Sequence, residues 1–209
     1  TVVKLLLFVL FALPSVISAA VPGQVASSVS LREEATYRYY FVNEKFVVSL
    51  QEVVIDGEGH GHYRFKKRDM EELTLDFKIS PRLLAEIRNL VDQLSFLSSG
   101  ESYQHKKDFS HLGTMTVAVR RGERQRETTF NYTDNAHMNQ LVQIFRGLTI
   151  QENRIFEIDL VRSTDPISMP AQLRFLEGEL KSRNIADPER LSSVLIELKS
   201  DESVPLIAR

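Results

Sequence analysis

Apolar and polar residues alternate in short runs ahead of residue 80 and again between residues 114 and 132, and recur at helical spacing elsewhere. In Phe46-Val-Val-Ser-Leu50 the even positions are apolar, whereas in Val53-Val-Ile55 the odd ones are. The inward parity therefore switches near Gln51 or Glu52, which predicts a β-bulge there. Asp56-Gly57 marks a turn between antiparallel strands. His60 to Lys66 alternates, and so does Glu72 to Lys78, with Leu73, Leu75 and Phe77 on one face. A hairpin closing over Lys67 to Glu71 pairs Tyr63 with Leu75 and Phe65 with Leu73 inside. On its outer side it pairs Lys66 with Glu72 and His62 with Asp76. Met115, Val117 and Val119 alternate, Arg121-Gly122-Glu123 turns the chain, and Thr128, Phe130 and Tyr132 alternate back as a second hairpin.

Ser80-Pro81 is a helix start, with serine as cap and proline at the first helical position. Leu83, Leu84, Ile87, Leu90, Val91 and Leu94 then form one apolar stripe. After Asp134-Asn135, Leu141, Ile144, Phe145, Leu148, Ile155 and Ile158 share one side of a helix reaching about Ser163, with Gly147 as a kink or break. Ser168-Met-Pro170 and Asp187-Pro188 start two shorter helices. Strands precede helices, so the expected fold is α+β: an antiparallel sheet of about five strands, in two hairpin units, covered by helices and followed by a helical C-terminal region.

Residues 1–20 read as a signal peptide: Lys4, an apolar run from Leu5 to Leu13, Pro14, and the small residues Ser18-Ala19-Ala20 at the cleavage site. The apolar run falls short of the ~20 residues that cross a bilayer. Residues 21–36 are a small, polar leader or linker, 37–165 the α+β domain, and 166–209 a helical extension packed on it.

Composition narrows the function classes. The 26 Lys and Arg nearly balance the 28 Asp and Glu, so net charge offers no general attraction to nucleic acid. The absence of cysteine removes disulfides, thiolate metal sites and thiol nucleophiles. No phosphate loop, dinucleotide fingerprint, nucleophile elbow or zinc-protease helix is present.

Four constellations remain. His60 and His62 lie two apart on a strand and face the same way, as metal ligands can, but Arg64 and Lys66 share that face and oppose a divalent cation. His105, Asp108 and His111 form a candidate metal site in a polar loop, in which Asp108 also suits the capping of local amides. Arg120, Arg121, Arg124 and Arg126 cluster at the second hairpin, suited either to a polyanion or to protecting a sheet edge. Tyr37, Tyr39, Tyr40 and Phe41 belong to the core or to a recognition stripe.

The runs Asp56-Gly-Glu-Gly59, Leu94-Ser-Phe-Leu97, Tyr103-Gln104, Lys107-Asp-Phe-Ser-His-Leu-Gly113, Ile185-Ala-Asp-Pro188 and Val204-Pro-Leu-Ile-Ala-Arg209 resemble a set of uncharacterised small secreted proteins of environmental bacteria. The resemblance runs from about Lys45 to the last residue and implies one evolutionary unit. It implies no activity, ligand or functional residue.

These features favour an exported, periplasmic or extracellular, non-enzymatic binding or envelope-assembly module. Its expected partner is a protein or envelope component, with no cofactor, no nucleic acid and, after signal cleavage, no membrane span. Two alternatives are a secreted metal-dependent hydrolase using the histidine and aspartate sites, and a polyanion binder using the arginine hairpin.

Overall fold

The structure, a computed structural model, describes residues 34–202 and 204, all within one compact unit. The signal peptide and nearly all of the leader lie outside the described residues. Six strands, Ala35–Val42 (β1), Val48–Asp56 (β2), His60–Lys67 (β3), Leu73–Lys78 (β4), Thr114–Arg121 (β5) and Arg124–Phe130 (β6), form one sheet in the order β4-β3-β2-β1-β5-β6. Every neighbouring pair is antiparallel. The fold is α+β, with one strand more than expected. That strand is β1, whose Tyr37, Tyr39 and Phe41 point into the core while Tyr40 points out.

The hairpin of β3 and β4 has the expected register, with Tyr63 opposite Leu75, Phe65 opposite Leu73 and His62 opposite Asp76. Two local expectations are corrected. The bulge lies between Val48 and Leu50, earlier than Gln51, so Leu50 faces outward opposite Lys66. Glu72 precedes β4 and takes Arg64 at 2.8 Å instead of Lys66. In the second hairpin β6 ends at Phe130, which leaves Tyr132 exposed beyond the strand.

Among the described residues there are four helices, Pro81–Gln93 (α1), Ala136–Thr164 (α2), Met169–Lys181 (α3) and Pro188–Ser200 (α4), of which α1, α2 and α4 start on a capping side chain. The Ser80 and Asn135 side chains accept the backbone N–H of Leu83 and Met138, closing the first turns of α1 and α2. Ser168, read as a cap of α3, instead turns its hydroxyl to Asp165. The apolar stripes of α1 and the first half of α2 cover one sheet face in a core that includes Ile87, Leu90, Phe145 and Leu148, with Phe145 stacked on Tyr39 at 5.5 Å.

Gly147 does not break α2, which runs through it for 29 residues. A Cβ there would sit 3.0 Å from the Ala186 Cβ and 3.1 Å from the Asn184 carbonyl, so the glycine lets the connection between α3 and α4 approach the helix. The second half of α2 carries Ile155 and Ile158 into a separate core with Met169, Leu176, Leu191 and Leu198. One helix thus serves both cores.

A buried polar junction ties the tail to the sheet layer. The Asp187 carboxylate accepts the backbone N–H of Ser80 at 2.6 Å and that of Arg190, while the Asp187 N–H donates to Gln151. Beside it, Glu152 is 3% exposed and accepts Arg190 through Nε at 2.8 Å and Nη2 at 2.7 Å. Further along α2, Asn153 donates to the buried Tyr63 hydroxyl, whose pKa burial pushes up.

Candidate functional site

Strand alternation sends every second residue away from the helices, and no described element packs on that side of the sheet. Its central positions, among them Arg38, Tyr40, Glu52 and Val54, are half-buried, and towards its edges it carries exposed His62, Asp76, Glu127 and Thr129. Across this open face runs a strip of alternating charge. Glu72 meets Arg64 at 2.8 Å, Arg64 meets Glu52 at 2.6 Å, Arg38 meets the other Glu52 oxygen at 2.6 Å, and Arg38 lies 3.6 Å from Glu127. The strip spans the sheet from beside β4 to β6. Arg38 also lies 5.6 Å from the Tyr40 ring centroid, in cation–π range.

Glu52 is the centre of the strip, its side chain 12% exposed between two guanidinium groups. Partial burial pushes its carboxyl pKa up, but hydrogen bonds and charge from Arg38 and Arg64 outweigh that and hold it below the usual range. A carboxyl depressed by folding adds stability above its unfolded pKa, near 4.3, and that contribution is lost as pH falls through the folded value. Glu52→Gln should therefore melt below the parent protein at neutral pH, with the gap closing under about pH 4. Thermal melts between these conditions check it.

The histidine candidates are each drawn to single carboxylates. His60 Nδ1 lies 3.2 Å from Asp56 and His62 Nδ1 lies 2.6 Å from Asp76, both at the surface. His62→Ala is expected to change stability by less than about 0.5 kcal/mol, because an exposed pair is worth little. A thermal melt reads this directly. The loop candidates separate: His105 points to Asp134 at 2.9 Å, Asp108 accepts the backbone and hydroxyl of Ser110, and His111 offers its backbone carbonyl to Asn43. The Ser110 backbone N–H and hydroxyl hold the Asp108 carboxyl below the usual range. His105 accepts the Lys107 N–H on Nδ1, and its other nitrogen faces Asp134, so both ring nitrogens have local partners. Its ring packs against Phe109 and Tyr132, which makes this loop a small aromatic cluster. Among the described residues no three histidine or carboxylate side chains gather as metal ligands do.

The four hairpin arginines do not form one patch. Arg120 points to the open face and reaches Glu34 at 3.3 Å. Arg121, Arg124 and Arg126 alternate to the helix side. There Arg121 meets Asp92 at 2.9 Å, and Arg126 donates to the carbonyls of Phe96 and Glu101 while lying 4.8 Å from the Phe96 ring centroid. Two of the four are thus structural.

Between α2 and α4 lies an open cleft of ≈ 660 Å³, floored by Ile155, Val194 and Leu198. Arg162 is taken there by Glu197 at 3.0 Å and by Asp201. Asp159 lies on its wall, its carboxyl held above the usual range chiefly by desolvation. Of the described helices, none is long and apolar enough to cross a membrane.

The strip went unseen in the sequence because its members lie on five separate segments. Parity does place each of them outward, once β1 is recognised as a strand. No protein-family model matches the chain, and no curated protein matches it.

Proposed function

We propose that the chain is an exported, non-enzymatic binding or envelope-assembly module that docks a protein partner on the open face of its sheet. The carrying observation is the strip from Glu72 through Arg64, Glu52 and Arg38 to Glu127 on a face that no described element covers. An antiparallel sheet can leave one face to water, but its usual solvent face needs no ordered series of charges. Because both signs alternate, the strip complements a surface that also carries both, as proteins do, and disfavours a uniform polyanion. Separation of His105, Asp108 and His111 onto different partners weighs against the hydrolase reading. Division of the arginines between two faces weighs against the polyanion reading.

The test is site-specific photo-crosslinking in the native host, with the reactive residue at Thr74 or Thr129 on the open face and at Arg82 or Lys199 on the helical side. One discrete adduct from the first pair and none from the second is the expected result. Adducts from the helical positions alone would overturn the proposal, and an adduct of twice the chain's mass would replace the partner with a second copy.

A further inference from the structure

We propose that a hollow over Ala118, on this same open face, is the anchor point for an aspartate or glutamate side chain of the partner. The proposal rests on the docking reading and names what part of the partner the face grips. Ala118 is paired with Arg38 on β1 and with Glu127 on β6. A methyl group stands where its neighbours carry long side chains, so the surface sinks. The hollow measures ≈ 440 Å³ and is bounded by Thr36, Arg38, Arg120, Gln125 and Glu127.

Two guanidinium groups border it, and both hold their partners there loosely. Arg120 meets Glu34 at 3.3 Å with both side chains well exposed, at 48% and 81%. Arg38 is anchored to Glu52 through Nε, but its Nη1 stands 3.6 Å from Glu127, beyond hydrogen-bond distance. An exposed ion pair of this kind contributes little, so an incoming carboxylate can replace Glu34 on Arg120 at small cost. Arginine's planar fork suits a carboxylate, and the Thr36 hydroxyl and Gln125 amide supply neutral donors at the rim. Glu127 on the far wall disfavours a dianion such as phosphate more than it disfavours a single carboxylate. Val119 and Arg126 also line the hollow, but the Arg126 guanidinium is taken by the carbonyls of Phe96 and Glu101, and Arg121 and Arg124 point to the opposite face.

The experiment is titration of the ¹⁵N-labelled full chain with a short glycine-serine peptide, capped at both ends and carrying a single glutamate, with the same peptide carrying lysine and inorganic phosphate as comparators. Saturable amide shifts centred on Thr36, Ala118 and Gln125 are expected from the glutamate peptide alone. Arg120→Glu should weaken them about tenfold, because a charged hydrogen bond is reversed. Arg124→Glu makes the same change in net charge on the other face, and should weaken them less than about twofold. Thermal melts of both variants establish that each is folded. Equal weakening by the two variants, or equal shifts with phosphate, would reduce the effect to net charge or to an adventitious anion only and overturn the anchor. Shifts at Tyr40 and His62 without Ala118 would overturn the anchor while leaving docking on this face intact. The absence of open-face shifts would likewise end the anchor, and the crosslinking result decides the docking reading separately.

Discussion

Glu152→Ala is expected to lower unfolding free energy by about 3 kcal/mol, a fall in Tm of roughly 6–12 °C for a chain of this size. Glu152 is buried in the middle of α2, and its two oxygens receive the Nε and Nη2 of Arg190 from the start of α4. Truncation leaves that guanidinium, whose side chain is only 22% exposed, without its counter-charge. The cost is therefore desolvation of an unpaired charge and not merely a lost contact. The same residue pair replaced together, Glu152→Leu with Arg190→Met, should recover much of the loss, because two apolar groups need no partner. Calorimetry on the parent, both single variants and the double variant checks the cycle. Nearly additive losses would mean that the two residues act independently, and that α4 is held to α2 by its apolar contacts alone.

Gly113→Ala should cost about as much, about 3 kcal/mol, for a different reason. Gly113 sits at φ 96° and ψ −179°, a region that side-chain-bearing residues scarcely enter. A Cβ there would stand 2.9 Å from the Val42 carbonyl and 2.7 Å from the Phe41 ring, and the first of these is backbone that cannot turn aside. Chemical denaturation of the variant provides the number. A loss under about 1 kcal/mol would show that the loop before β5 relaxes around the new methyl.

Such positions differ in how far the sequence betrays them. The register of β3 and β4 was legible because Tyr63, Phe65, Leu73 and Leu75 alternate with charged residues, and one hairpin length satisfies both faces. The starts of α1 and α4 were legible because Ser80-Pro81 and Asp187-Pro188 combine a capping side chain with a proline that fits the first helical position. β1 was not, because Tyr40 and Val42 are apolar outward residues that blur the alternation of Tyr37, Tyr39 and Phe41. The place of the bulge is hidden for a similar reason: Leu50 is apolar yet faces out beside Lys66. Gly147 reads locally as a helix breaker, and only the approach of Ala186 from a distant connection explains it.

The candidate site was less legible still. His60, His62, His105 and His111 stand out in the sequence because they are rare and close together, whereas the charge strip is built of common residues brought together by strand order. Arg38 and Glu127 are far apart in the chain and meet only because β1 enters the sheet beside β5. Adjacency in sequence also misled for the arginine hairpin, since neighbours along a strand point to opposite faces. Arg120 and Arg121 illustrate this, one beside Glu34 on the open face and the other beside Asp92 under the helices.

The proposed docking on the open sheet face is decided by hydroxyl-radical footprinting of the chain in the native host against the purified protein. Tyr40, on the open face, should be protected in the host, while Tyr132 and Phe175, exposed elsewhere on the molecule, should be labelled equally in both. Equal labelling of Tyr40 in the two settings, with protection at Tyr132 or Phe175 instead, would contradict the claim.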